Sequence, residues 1–167
     1  MSRIHIRPAV EADAARLQQY VADLFAEQLP VLFLRDKAPT VEEVRRFIRS
    51  MIESPRCVLL VAEAEGEIVG MLDFRGHPEP QRMHAGELGM STAKHWRGRG
   101  VGTKLLERLL EWAERRGVRR LELRVFSNNP DAIRLYERFG FVAEGRQVHA
   151  VRVADGYVDI IHMARFV

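Results

Sequence analysis

Apolar and polar residues alternate around Ile4 and Ile6, and Pro8 ends what reads as a short first strand. From Glu11 to Glu27 the period becomes helical, with Leu17, Val21, Leu24 and Phe25 on one face. Pro30 and Pro39 bracket a loop. Thr40 stands three residues before Glu43, the spacing of a capping box; Val44, Phe47, Ile48 and Met51 then stripe a second helix, which Pro55 closes. Cys57 to Ala64 is an unbroken apolar run, as expected of a buried strand, and Glu67 to Phe74 returns from the Glu65-Gly66 turn as its hairpin partner. His77 to Arg82 reads as loop and Glu87 to Thr92 as strand. The strongest helical period runs from Gly102 to Arg116, with Leu105, Leu106, Leu109, Leu110 and Ala113 in register and Gly117 as the stop. Leu121 to Phe126 is a strand, Pro130 to Arg138 a short helix, and Phe141 to Ala143 the start of another strand. Ala154-Asp155-Gly156 turns between the last two strands. The predicted order, β-α-α-β-β-β-α-β-α-β-β, is that of an α/β or α+β fold with a mixed sheet, in which the crossover around RGRGVG makes two neighbouring strands parallel.

That crossover holds the question of the sequence. In RGRGVGT, Arg97 to Thr103, glycines alternate with Arg99 and Val101 just where the best helix begins. A helix start leaves amide N–H groups unpaired and carries partial positive charge. Gly98, Gly100 and Gly102 let an anion approach that backbone, and Arg97 and Arg99 add charged donors, so the loop reads as a pyrophosphate cradle. A dinucleotide fingerprint is excluded because Thr103 stands where its third glycine belongs, and a P-loop because the Lys-Ser/Thr pair is missing. The alternative is a loop whose glycines only permit tight packing.

The totals narrow the setting. The 167 residues are a length expected of one domain, 1–167, with no low-complexity linker. A hydrophobic share of 47% with 29% charged residues is ordinary for a globular chain. The formal net charge of +3 suits an anionic small molecule and argues against nucleic acid. Cys57 is the single cysteine, which excludes an internal disulfide and reads as a strand residue in a reducing, cytoplasmic compartment. No apolar run is long enough to span a bilayer, MSRIHIRP has no signal-peptide core, and the histidines form no ligand-spaced cluster, so neither membrane nor metal is expected.

Arg97-Gly98-Arg99-Gly100-Val101-Gly102 resembles the R/Q-x-x-G-x-G/A loop of the GNAT superfamily of acetyl-CoA-dependent N-acetyltransferases. One strand downstream, Asn129-Pro130-Asp131-Ala132-Ile133-Arg134-Leu135-Tyr136-Glu137-Arg138-Phe139-Gly140-Phe141 is similar to that family's N-x-x-A-x-x-L-Y-x-x-x-G-F. The element order also matches that family from end to end, and the opening IRPAVEADAARL is similar to its usual start, so the resemblance covers nearly the whole chain. It implies a mixed, mostly antiparallel sheet of about seven strands around a splayed parallel pair, flanked by about four helices.

The resemblance also implies roles. The amides of Arg97 to Thr103 would bind the pyrophosphate of coenzyme A, and the strand from about Leu88 to Thr92, with Met90, Ser91 and Thr92, would pair with the pantetheine arm. A backbone N–H near Met90 would polarise the thioester carbonyl. Asn129, with Ala132, would contact the cofactor, and Tyr136 would protonate the departing thiolate or position the thioester. Glu87 is the candidate base for the acceptor ammonium, with His84 or a water chain as alternatives. The acceptor site would be built from Phe25 to Asp36, including Arg35, and from Gln147 to His162, where Tyr157 and Asp159 also lie. The expected activity is acetyl transfer from acetyl-CoA to a small amine or amino acid by direct attack in a ternary complex; a protein N-terminal acetyltransferase and a non-catalytic acyl-CoA-binding regulatory domain are the alternatives. Relatives are often homodimers, with the C-terminal strands as a contact.

Overall fold

The computed structural model describes residues 3–27 and 37–167. The PVLFLRD stretch and Arg35, expected near an acceptor, lie outside the described residues. The elements are β1 (His5–Pro8), α1 (Ala14–Ala26), α2 (Val41–Glu53), β2 (Cys57–Ala64), β3 (Glu67–Gly76), β4 (Ala85–Thr92), α3 (Val101–Arg115), β5 (Arg120–Phe126), α4 (Pro130–Arg138), β6 (Val142–Val153) and β7 (Gly156–Phe166). They form a seven-stranded mixed sheet, in the order β1-β2-β3-β4-β5-β7-β6, whose parallel pair is β4 with β5.

The chain divides into two compact units, Met1–Arg75 with Met90–Leu109, and Gly76–Gly89 with Leu110–Val167. In the first, α1 and α2 lay Leu17, Tyr20, Val21, Leu24, Val44, Ile48 and Met51 against Leu59, Val61 and Ile68. Leu59 through Ala62 are all buried, so both faces of β2 are covered, which is why that strand reads as a run rather than an alternation. The capping box of α2 is formed: the Glu43 N–H donates to Thr40 Oγ1 at 3.2 Å, and the Thr40 N–H to Glu43 Oε2 at 2.7 Å.

The predicted helix from Glu11 opens as a 3-10 turn, Glu11–Asp13, before α1. Asp13 explains the turn. Its carboxylate accepts a bidentate pair from Arg7, each bond 2.7 Å, and the Val10 N–H at 2.9 Å. Asp13 is only 3% exposed, and the Arg7 guanidinium holds its carboxyl below the usual carboxylate range.

In the second unit β5 alternates. Leu121, Leu123 and Val125 are buried, which leaves Arg120, Glu122 and Arg124 on the opposite face. The predicted strand at Glu87 begins earlier, at Ala85, because the parallel ladder starts with Ala85 opposite Arg120. The strand predicted to start at Phe141 begins at Val142 and runs to Val153, paired along β7 with shifts after Ala143 and Gln147. Phe141 is instead a core residue, 2% exposed.

Candidate active site

In the first unit the cradle is built from main chain. Beyond β4 the Ala93 N–H donates to Val69 O at 2.9 Å, and a 3-10 turn over Lys94–Trp96 leads into the loop. Gly98 and Gly100 take φ of +71° and +83°, the left-handed region that glycine enters without strain. The first hydrogen bond of α3 runs from the Lys104 N–H to Gly100 O at 3.1 Å, so the amides of Val101, Gly102 and Thr103 are the orphan donors of a helix start. No acidic residue stands in that first turn. Such an end accepts an anion, and a Cβ at Gly98 or Gly100 would meet nothing within 4 Å, so the approach is open. The residues present therefore fit a pyrophosphate.

The two arginines of the loop have other partners. Arg97 donates through Nε to Thr92 O at 3.1 Å and through Nη2 to Glu27 at 3.0 Å, which ties the loop to the end of α1. Arg99 lies over the Trp96 ring, 5.4 Å from its centroid. Ser91 Oγ is 2.9 Å from the buried Tyr20 hydroxyl, whose phenol burial pushes up.

Gly70 was not singled out in the sequence. A Cβ there would lie 2.6 Å from Val101 Cγ1 and 3.3 Å from Ser91 O, so the missing side chain lets the first turn of α3 seat against β3. An isolated glycine inside a strand pattern is the signal that could have found it.

In the second unit Asn129 caps α4, with Oδ1 accepting from the Ala132 N–H at 3.2 Å. Ala132 enters the site as the partner of that cap. Tyr136 lies about two turns beyond Asn129. It is 6% exposed and meets Phe141 edge-on, with centroids 5.7 Å apart. Gly140, at φ +78°, turns the chain so that the Phe141 N–H returns to Tyr136 O at 3.0 Å. The Tyr136 hydroxyl makes no hydrogen bond among the described residues, and burial pushes its pKa up to about 12. It is a neutral phenol with a proton to give.

The β4–β5 ladder pairs Ala85 to Leu88 with Arg120 to Leu123 and covers nothing beyond. The strands thus part after Leu88. Glu87, next to that point, receives Arg124 Nε at 2.9 Å and Nη2 at 2.7 Å, both on Oε1. His84 is exposed and bonds through its carbonyl to the Arg119 and Arg120 amides, in the loop before β4. Arg124 is the residue that sequence reasoning missed here; its tie to Glu87 depends on a register between distant strands. Tyr157 stacks on His149, and Asp159 accepts from Arg146 Nε and the His149 N–H. Among the described residues no cluster of side chains could hold a metal ion.

A family profile described as "Acetyltransferase (GNAT) family" matches residues 19–141. The L-amino acid N-acetyltransferase AaaT of Escherichia coli is 31% identical over 169 residues, spanning 99% of each chain. A shorter match, 43% over 53 residues, links 31% of the chain to 35% of the spermine/spermidine N(1)-acetyltransferase of Bacillus subtilis. Among solved structures, an acetyltransferase of the GNAT family from Streptococcus pneumoniae superposes with a TM-score of 0.89 at 29% identity, over 99% of this chain and 100% of that one.

Proposed function

The chain belongs to the acetyltransferase (GNAT) family, whose members use acetyl-CoA, and on that premise we propose that it acetylates the primary amine of a small molecule or amino acid by direct attack in a ternary complex. The observation that carries the donor side is the set of orphan amides at Val101, Gly102 and Thr103 behind two left-handed glycines. These amides hold the pyrophosphate, and the end of β4 from Met90 to Thr92, past its last rung with β5, offers main-chain groups on that side to the pantetheine arm, including the N–H that stabilises the oxyanion.

Tyr136 gives its proton to the sulfur as the carbon–sulfur bond breaks. Its raised pKa keeps that proton on the phenol throughout the neutral range. Glu87 accepts the proton of the acceptor ammonium, directly or through water, and the freed amine attacks the thioester carbon. A purely acyl-CoA-binding domain has no use for a buried, unpaired phenol inside this motif, which weighs against the regulatory alternative. The reading takes 1–167 as one catalytic domain, supported by the full-length match to an amino acid transferase.

The acceptor class rests on the names of the relatives, an amino acid transferase over nearly the full length and a polyamine transferase over a shorter stretch. A homodimer is proposed through β6 and β7, where Val148, Tyr157 and Phe166 stand 68%, 57% and 71% exposed. Light scattering at working concentration is expected to give twice the chain mass, and a monomer mass removes that proposal. The test of the activity is free-thiol release from acetyl-CoA across amino acids, polyamines, aminoglycosides and short peptides. Release that depends on a small amine supports the reading; tight coenzyme A binding without release by any of them refutes it in favour of the regulatory domain.

A further inference from the structure

We propose that Arg124 and His162 together anchor a carboxylate on the acceptor, so that the enzyme takes amino acids in preference to amines without a carboxylate. The inference rests on the transferase reading above and names the substrate class of that same site.

Arg124 is the residue after the last rung of the parallel ladder, Leu88 opposite Leu123. Strand alternation puts it on the face opposite the buried Leu123, at the point where β4 and β5 part. Its pairing with Glu87 is incomplete. A guanidinium and a carboxylate bond best as a fork on two oxygens, yet Nε and Nη2 both converge on Glu87 Oε1. Arg124 Nη1 and Glu87 Oε2 make no hydrogen bond among the described residues. The two side chains are 52% and 31% exposed, where such a pair is held weakly and a better partner displaces it. Arg7, by contrast, spends two nitrogens on two oxygens of Asp13, and Arg120 is shared between Glu122 and Glu144.

His162 is the register partner of Arg124 on β7, so the two side chains share a face with Cβ atoms about 5 Å apart. The His162 ring makes no hydrogen bond among the described residues, and an imidazole always has at least one N–H to donate. A carboxylate between them accepts from the guanidinium on one side and the imidazole on the other. Glu87, adjacent and negative, attracts the ammonium. A cation and an anion side by side match the zwitterion of an α-amino acid and reject a polyamine, whose second charge would meet Arg124. Seating the carboxylate also draws Arg124 off Glu87 and frees that base when the amine is in place.

The experiment compares thiol release with L-amino acids and with the amines left when each carboxylate is removed, such as L-phenylalanine against phenethylamine. The native chain is expected to favour the amino acid by tenfold or more in kcat/KM. Arg124→Gln should bring that ratio close to one, chiefly by raising KM for the amino acid, with KM for acetyl-CoA little changed; the rate on phenethylamine itself is expected to shift, because Glu87 loses its partner. His162→Gln should reduce the ratio in part, and Arg124→Lys should retain part of it. A ratio that survives Arg124→Gln and His162→Gln overturns the anchor. So does an equal fall for both acceptors together with a raised KM for acetyl-CoA, the result expected if Arg124 only clamps the strands. No thiol release with any amine sinks the transferase reading itself, and the anchor with it.

Discussion

The cradle of the first unit and the Glu87, Arg124 and Tyr136 set of the second solve opposite problems with opposite materials. The proposed cradle offers main-chain groups: N–H donors of a helix start and two glycines at positive φ, with Arg97 bonded to Glu27 and Arg99 lying over Trp96. The second set works through side chains whose remaining valences are open, namely a phenol with no partner and a guanidinium on one oxygen of a carboxylate. The first region should therefore tolerate loss of side chains and resist changes to its backbone. The second should do the reverse.

The sharpest test of that contrast is the loss of one oxygen. Tyr136→Phe keeps the ring against Phe141 and removes the donor, and kcat is expected to fall about a hundredfold or more, the usual worth of a positioned general acid. Arg99→Ala removes a whole charged side chain from the cradle and should raise KM for acetyl-CoA only about threefold, since the orphan amides remain. Steady-state thiol release on both variants decides it. Comparable losses would erase the distinction.

A change to the backbone of the cradle comes next in size. Gly70→Ala places a methyl 2.6 Å from Val101 Cγ1, a β-branched side chain with little freedom to yield, and it also crowds Ser91 O. The first turn of α3 must shift, and KM for acetyl-CoA is expected to rise roughly tenfold, with a lowered Tm from overpacking. An unchanged KM beside a lowered Tm would mean that the cradle does not depend on how α3 is seated.

These cases also show what was legible. Glycines at fixed offsets dictate backbone, so RGRGVG could be read as a turning loop at a helix start, whereas Phe141, expected to open a strand, is a core residue. The apolar periods gave the element order for the same local reason. Partners were not legible. Arg97 bonds Glu27, and Arg124 reaches Glu87 only through the register of β4 against β5. Such pairings join residues tens of positions apart, and no local spacing encodes them. The stretch 28–36 and the C-terminal strands carry no comparable sequence code for the acceptor.

A pH effect should separate structure from chemistry. Asp13 has a folded pKa held below its unfolded value by Arg7, so its contribution to stability is present above the unfolded pKa, about 3.9, and is lost as pH falls through the folded one. Acidification below pH 4 should therefore lower the Tm of the native chain more steeply than that of Asp13→Asn. The variant should start roughly 3 kcal/mol less stable near neutrality, because Arg7 loses its buried partner. Parallel Tm curves would show that the Arg7 fork is not what acid breaks.

The smallest expected effect probes where the two materials meet within the first unit. Ser91 belongs to the strand segment that offers main chain to the pantetheine arm, yet a side-chain bond holds it: Oγ lies 2.9 Å from the Tyr20 hydroxyl. Burial keeps that phenol neutral, so the bond is an uncharged one worth about 1 kcal/mol. Tyr20→Phe and Ser91→Ala should each raise KM for acetyl-CoA a few-fold and leave kcat nearly intact, since neither oxygen meets the reacting atoms. The double variant should lose no more than Tyr20→Phe alone, because that variant already lacks the bond to Ser91 and gives up the Met71 backbone bond as well. Additive losses would mean that Ser91 Oγ contacts the cofactor directly, and the main-chain character of the cradle would then end one residue before Thr92.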